Sequence, residues 1–576
     1  MRHYFFFFVF SLIICSAKAQ PFITTFEKSN GKQTATYFEC IDFYKSLAKS
    51  FSTIKILIGD TTDEGYPLHL VLFSADKKFD INNWHKQHKV VVMVNNGIHP
   101  GEPDGIDASM LFLRDLAEGK LKAPNNVVFA IIPVYNIGGC LNRNSFSRVN
   151  QNGPESYGFR GNGENLDLNR DFIKADSKNA FAFEKLFHLL NPDIFIDNHV
   201  SDSADYQHTM TMISTQHNKL EGAIGDFLHN VFESALYKGM QQKNWQMCPY
   251  VNFEESSLKN GWDAFYDPPR YSSGYASLFE TIAFIPETHM LKPYADRVKS
   301  TYAFMQTVME QASVYANDIL EKRKASIDGI KQQKEFPLSW KVDSSKFDHI
   351  DFRGYDTSIT TSAITGLPRY YYDHSKPFEK QIKFYNTYVP SVAVQKPKAY
   401  IIPHGWHQVI ERLQLNNVVM HQLKRDTTIK VEYYMVDDYK SLAKPYEKHH
   451  RNYDIHLSTH NDSILFLKDD YIIYTGQNCD RYIVETLEPL ADDSYFSWNF
   501  FDAVLQRKEF YSDYRWEDVA AEYIKQHPEA KTLLDEKRKT DTAFAASAEQ
   551  QLYFVYTHSP YSEPGYMRVP VFRIDY

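Results

Sequence analysis

Cysteine is scarce, with five in 576 residues, and none stands in a CxxC spacing. That argues against a thiolate zinc site or a redox pair. Cys40, Cys140, Cys248 and Cys479 lie outside the N-terminal stretch and allow three full pairings. They are too sparse for a disulfide scaffold in so long a chain. Past the N-terminal stretch no apolar run approaches the roughly twenty residues of a spanning helix, so no membrane span is expected. A basic footprint is missing too: 63 Lys and Arg against 72 Asp and Glu leave a net charge of −9. Nucleic acid is therefore not an expected partner. Internal repeats and low-complexity linkers are also absent.

What is present points to packed cores, since 43% of the residues are apolar and 15% aromatic, well outside disordered composition. The length exceeds one ordinary core, so at least two domains are expected. Residues 1–19 read as a signal peptide. Met1-Arg2-His3 gives a positive start, Tyr4 to Cys15 an apolar stretch, and Ala17-Lys18-Ala19 a small-x-small cleavage site before Gln20. A secreted or periplasmic location follows as an expectation.

Residues 20–335 alternate strand-like and helix-like segments. Lys89 to Asn95, Asn126 to Val134 and Asp193 to Val200 are short apolar runs of the kind buried parallel strands carry. Helical patterns cover Pro103 to Glu118, Asn179 to Leu190, about His217 to Gln242 and about Asp296 to Gln333, and Thr281 to Ile285 is a further apolar run. The expected fold is α/β, a mixed and largely parallel sheet flanked by helices. From residue 336 the texture changes to short aromatic and β-branched runs: Tyr370 to Tyr372, Ala399 to Ile402, Ile429 to Tyr434, Tyr471 to Tyr474 and Leu552 to Tyr556. One helical stretch spans roughly Trp516 to Lys525. Residues 336–576 therefore read as a β-rich accessory region.

Hydrolytic zinc takes three protein ligands, commonly imidazole and carboxylate, and keeps one position open. His99 and Glu102, in Asn95-Asn96-Gly97-Ile98-His99-Pro100-Gly101-Glu102, follow a strand and are separated by two turn formers. His199 ends another apolar strand. Ligand sites in open α/β sheets lie at such carboxyl ends. An isolated HxxE pair would more ordinarily be a surface turn, and the later segments change that balance. Asn169 and Arg170, in Asn165-Leu166-Asp167-Leu168-Asn169-Arg170-Asp171-Phe172, set a guanidinium beside an amide, an arrangement suited to a carboxylate; a capped loop is the plainer explanation. Arg160 lies ten residues earlier and could steady an oxyanion or form a surface ion pair. Glu287 ends the apolar run that Glu280 precedes, so Glu287 is the stronger general acid/base.

This ordered set resembles the zinc metallocarboxypeptidase family, the carboxypeptidase A-like peptidases, over roughly residues 85 to 295. The extended C-terminus is similar to that of secreted bacterial members. The resemblance implies one Zn2+ held by His99, Glu102 and His199, with peptide or protein C-termini as substrates. It implies that Asn169 and Arg170 bind the terminal carboxylate, that Arg160 polarises the scissile carbonyl with Arg148 as its rival, and that Glu287 is the acid/base. A substrate-capping tyrosine is also implied; Tyr266, Tyr271 and Tyr275 all qualify. The Pro-Glu-Thr-His context of Glu287 departs from the Glu-Leu-Arg of digestive members. Two alternatives stay open. One is a zinc amidohydrolase acting on N-acyl amino acids or murein peptides, of the desuccinylase or aspartoacylase type. The other is an inactive binding protein on the same fold.

Overall fold

The computed structural model describes residues 22–202, 204–252 and 260–575; the signal-peptide reading falls outside them. The sheet that carries the site is built from β1 (Ile54–Thr61), β2 (Pro67–Phe73), β3 (Val90–Asn95), β4 (Val127–Ile132), β5 (Ile194–Asp197), β6 (His199–Ser201), β7 (Met210–Ser214), β8 (Cys248–Pro249) and β10 (Ile282–His289). The intervening two-residue strand β9 (Trp262–Asp263) belongs to another sheet. The order is β1-β2-β4-β3-β5-β10-β7-β8, with β6 also pairing with β10. Strands β4, β3, β5 and β10 run parallel, as do β7 and β8, whereas β1, β2 and β7 make antiparallel joins. This is the expected mixed sheet. Strands β3 and β4 are fully buried along their length, as parallel strands covered on both faces must be.

One face is covered by the helices Tyr37–Ser50, Asp104–Ala117, Glu233–Gln242 and Tyr294–Val314. The helix Lys178–Leu190 covers the other, together with residues of the C-terminal region. Two helices expected as continuous are broken. Between His217 and Gln242 a 3₁₀ turn, a short α-helix and a π-turn precede the last helical segment. The helix after Pro293 is interrupted at Tyr315, where φ is −100° and ψ 20°.

The C-terminal region is β-rich, as expected. Glu335–Val342 pairs with Tyr388–Gln395, and Asp348–Thr361 with Pro368–Tyr385. A six-stranded sheet includes Ala399–Ile402, Thr427–Ser441, Asn452–Phe466 and Tyr471–Tyr474. Leu552 to Tyr556 is not a strand but lies in the helix Ala548–Thr557, capped by Ser547. Its aromatic composition suggests β structure; Val555 and Tyr556 are instead buried in a helical cluster with Trp516, against which the Tyr556 ring packs edge-on. Cys40, Cys140, Cys248 and Cys479 are all buried free thiols.

Candidate active site

The turn after β3 begins at Gly97, whose φ of +64° is left-handed and costs a side-chain-bearing residue strain. The chain then folds back, with the Glu102 amide donating to the His99 carbonyl at 2.8 Å. This brings the His99 ring and the Glu102 carboxylate to the carboxyl edge of the sheet. His199 opens β6 at the same edge and pairs in register with Glu287 of β10. The bond between the Thr288 hydroxyl and Asp104 ties the end of β10 to the helix that follows the His99–Glu102 turn. Arg297 pairs with Asp104 at 3.1 Å behind them.

His99, Glu102 and His199 are all buried and can each offer one atom so that the three lie within 4.8 Å of one another. His99 Nδ1 is 3.3 Å from Glu102 Oε1, and His199 Nδ1 is 3.3 Å from Glu102 Oε2. The opposite ring nitrogens meet carboxylates, His99 Nε2 with Asp167 at 2.8 Å and His199 Nε2 with Asp197 at 3.1 Å. A carboxylate behind each imidazole turns the other nitrogen towards a metal. His99 Nδ1 is buried without a hydrogen-bond partner, an orphan that a cation would satisfy. Two imidazoles and one carboxylate are the donor set of hydrolytic zinc, so the residues present fit that ion.

The electrostatics are lopsided around this trio. Burial pushes the Glu102 carboxyl up, but Arg148 and the two histidines reverse that and hold it well below its ordinary range. For Asp167 burial is likewise outweighed, by His99, Arg160 and Arg170, and it stays ionised. Glu287 goes the other way. Burial and the Glu102 charge push it up to about 8, against the opposing pull of His199 and Arg160.

A cavity of about 340 Å³ opens over these groups, lined by Glu102, His199, Glu287, Arg148, Arg160, Asn169 and Arg170. Arg148 donates to Glu102 at 2.9 Å and to Gln151 at 2.6 Å. Arg160 donates to Asp167 at 2.9 Å and approaches Glu102 at 3.5 Å. Both arginines thus share the wall. Asn169 has a buried side-chain oxygen with no hydrogen-bond partner. The Arg170 guanidinium lies 4.5 Å over the Tyr271 ring. Of the three tyrosines considered for capping, only Tyr271 lines the cavity. The Tyr266 hydroxyl donates to Asp492, and the fully buried Tyr275 donates to Asn416 at 2.7 Å. Glu280 is buried elsewhere, accepting from Ser326 at 2.5 Å.

Several contributors have no assigned role in the sequence reading. Asp167 and Asp197 each stand two residues before a site residue, so the motifs contain them. Tyr250 and Phe265 line the cavity. Tyr446 and Glu447 reach the site from the C-terminal region, where Lys-Pro-Tyr-Glu-Lys-His-His looks like an ordinary charged turn.

A buried His-Glu-His trio at the carboxyl edge of an α/β sheet, beside a half-buried glutamate, has the make-up of a zinc-hydrolase type of site. Residues 40–257 match the sequence model described as zinc carboxypeptidase. "Probable carboxypeptidase 2" of Arthroderma benhamiae is 22% identical over 438 residues, 69% of this chain and 73% of that protein. "Carboxypeptidase 2" of Trichophyton tonsurans is 21% identical over 513 residues, 82% and 85%. Among solved structures, a metallo-carboxypeptidase from Burkholderia cenocepacia aligns at 15% identity and TM-score 0.37, covering 49% of this chain and 70% of that one. Residues 40–257 thus carry a zinc carboxypeptidase domain, and the relatives that match most of the chain are carboxypeptidases. The chain is a hydrolase of the metallocarboxypeptidase type, and the deacylase alternative is not favoured.

Proposed function

We propose that this chain removes C-terminal residues from peptides with one zinc ion held by His99, Glu102 and His199. The observation that carries the assignment is one cavity lined by Glu102, His199, Glu287, Asn169 and Arg170, with His99 beside Glu102 completing the buried trio. Bound zinc supplies Lewis acidity, which acidifies water and polarises a carbonyl oxygen. Arg170 and Asn169 bind the terminal carboxylate, and Ile213, Ile285, Phe265 and Tyr250 offer an apolar wall to the terminal side chain. Arg160 holds the carbonyl oxygen as charge develops on it. Glu287 takes the proton from water and hands it to the leaving amine, a double task suited to a carboxyl whose pKa lies near neutrality. Arg148 keeps Glu102 ionised and aimed between the histidines.

The test is release of C-terminal amino acids from a peptide library, read by mass spectrometry. Release should stop with a zinc chelator and resume with added zinc. Glu287→Gln should retain zinc yet lose activity by a factor on the order of 10³ or more. Chelator-insensitive release, or full activity in Glu287→Gln, would overturn the assignment.

The proposed organisation is a catalytic unit over residues 20–335 and an accessory region over residues 336–576. The tripartite N-terminus supports export, and N-terminal sequencing of protein from the native host should begin at Gln20. A chain still starting at Met1 would refute this. Among the described residues no helix is long and apolar enough to cross a membrane.

A further inference from the structure

The C-terminal region enters the site at the corner occupied by Arg170. Tyr446 and His449 form an antiparallel bridge, closed by Tyr446 N–H to the His449 carbonyl at 2.8 Å and the reverse bond at 3.1 Å. Glu447 and Lys448 are therefore the two residues of a hairpin tip, and their φ values are 48° and 75°. Such tips favour Asn-Gly, because left-handed backbone is costly for a residue with a long side chain. Here a glutamate and a lysine occupy it, and contacts outside the turn must hold them there.

Those contacts fall on the substrate-binding residues. The Tyr446 hydroxyl accepts from Arg170 Nε at 3.0 Å, and Glu447 Oε2 accepts the Asp167 backbone N–H at 2.8 Å. His449 pairs with Asp176 at 2.7 Å. The Tyr446 ring is backed by Trp498, stacked at 6.1 Å with 20° between planes. Arg170 is thus clamped between Tyr271, from the catalytic part of the chain, and Tyr446, from the C-terminal region. Glu447 meanwhile steadies the turn that presents Asp167, Asn169 and Arg170 together.

We propose that the Tyr446–His449 turn is a positioning element for substrate: Tyr446 sets the Arg170 guanidinium, and Glu447 sets the Asp167–Arg170 backbone. The carboxylate anchor then takes its working geometry only with the C-terminal region docked. The proposal rests on Arg170 being that anchor. A guanidinium fixed through Nε loses less freedom when it binds a carboxylate, so the gain appears in substrate binding. An interaction made equally in ground and transition states moves KM and leaves kcat.

The experiment uses the zinc-loaded full chain and a blocked dipeptide with a free terminal carboxylate. Tyr446→Phe keeps the ring against Trp498 and removes only the hydroxyl. It should raise KM about tenfold, the effect of losing one charge-assisted hydrogen bond. The kcat should stay within about twofold, with zinc content and Tm unchanged. Arg170→Met is made alongside. If Tyr446 acts through Arg170, Tyr446→Phe adds nothing in the Arg170→Met background. Glu447→Gln, which keeps an acceptor for the Asp167 amide, should preserve KM, whereas Glu447→Ala should raise it. An unchanged KM in Tyr446→Phe, with a raised KM in Arg170→Met, overturns the proposal and leaves the anchor intact. Multiplicative effects in the double variant also overturn it. An unchanged KM in Arg170→Met defeats the anchor reading itself, and the positioning role with it.

Discussion

Two arginines share the wall of the cavity, and their surroundings separate their roles. Arg148 is mostly buried and committed to Glu102 and Gln151. Arg160 is 44% exposed, is held through Nε by Asp167, and its charge pulls against the rise that burial imposes on Glu287. The sign of the pH effect follows. In the proposed mechanism Glu287 must be ionised to take a proton, so its pKa would set the acidic limb of kcat/KM. Burial drives that pKa up, and Arg160 draws it down towards the working range. Arg160→Gln removes the opposing charge, so the limb should move to higher pH while the plateau rate falls about 10²–10³-fold through loss of carbonyl stabilisation. Arg148→Gln should leave the limb in place and weaken zinc binding, because Glu102 loses its buried partner. A pH series on both variants decides the matter. No movement of the limb in Arg160→Gln, or the same movement in Arg148→Gln, would reverse the assignment.

At the scale of elements, the site depends on how closely the helix Asp104–Ala117 approaches the strand ends. A Cβ added at Gly105 would stand 2.5 Å from both Asn198 Cβ and Asn96 Oδ1. Neither neighbour is free to retreat, since Asn198 Nδ2 bonds Asn96 Oδ1 at 2.8 Å and Asn96 Nδ2 bonds the Ile132 carbonyl at 3.0 Å. Asn198 directly precedes His199. Gly105→Ala should therefore weaken zinc about 10- to 100-fold, as disturbed supporting groups do, despite alanine's higher helix propensity. Titration against a competing chelator measures it, and wild-type affinity would show that the strand end yields without moving His199. The parallel strands that lead to His99, Glu102 and His199 are legible in the sequence because a strand buried on both faces is a continuous apolar run, and each of these residues ends or follows one. Other features left no local trace. The break at Tyr315, the π-turn after Phe227 and the helix over Leu552 to Tyr556 depend on what each segment packs against. The Glu447–Lys448 tip lacks the Asn-Gly that would have announced a tight turn.

At the scale of the whole molecule, the C-terminal region shares a core with the catalytic sheet. Val91, Met93, Phe183, Phe187 and Tyr275 lie in the same buried cluster as Phe336, Tyr400, Leu413, Tyr482 and Trp498. Buried polar groups cross the same surface. Arg412 donates to the carbonyls of Lys174 and Ala175 at 2.5 and 2.8 Å, and Asn416 donates to the buried Glu184 at 2.6 Å. Separating the two parts would expose those aromatics and strand the polar groups, at about 1–3 kcal/mol for each buried partner lost. Neither part should therefore survive the other's unfolding, although chains of this size ordinarily melt domain by domain. Scanning calorimetry of the full chain should show one main transition. Asn416→Ala should shift that transition as a whole, because it removes the partner of Glu184 on the catalytic side and of Tyr275 beside it. Two well-separated transitions, with only the one assigned to the C-terminal region responding to Asn416→Ala, would show that the shared surface is a docking contact between independent units. A single transition would instead make the placement of Tyr446 beside Arg170 a property of the folded state as stable as the sheet itself.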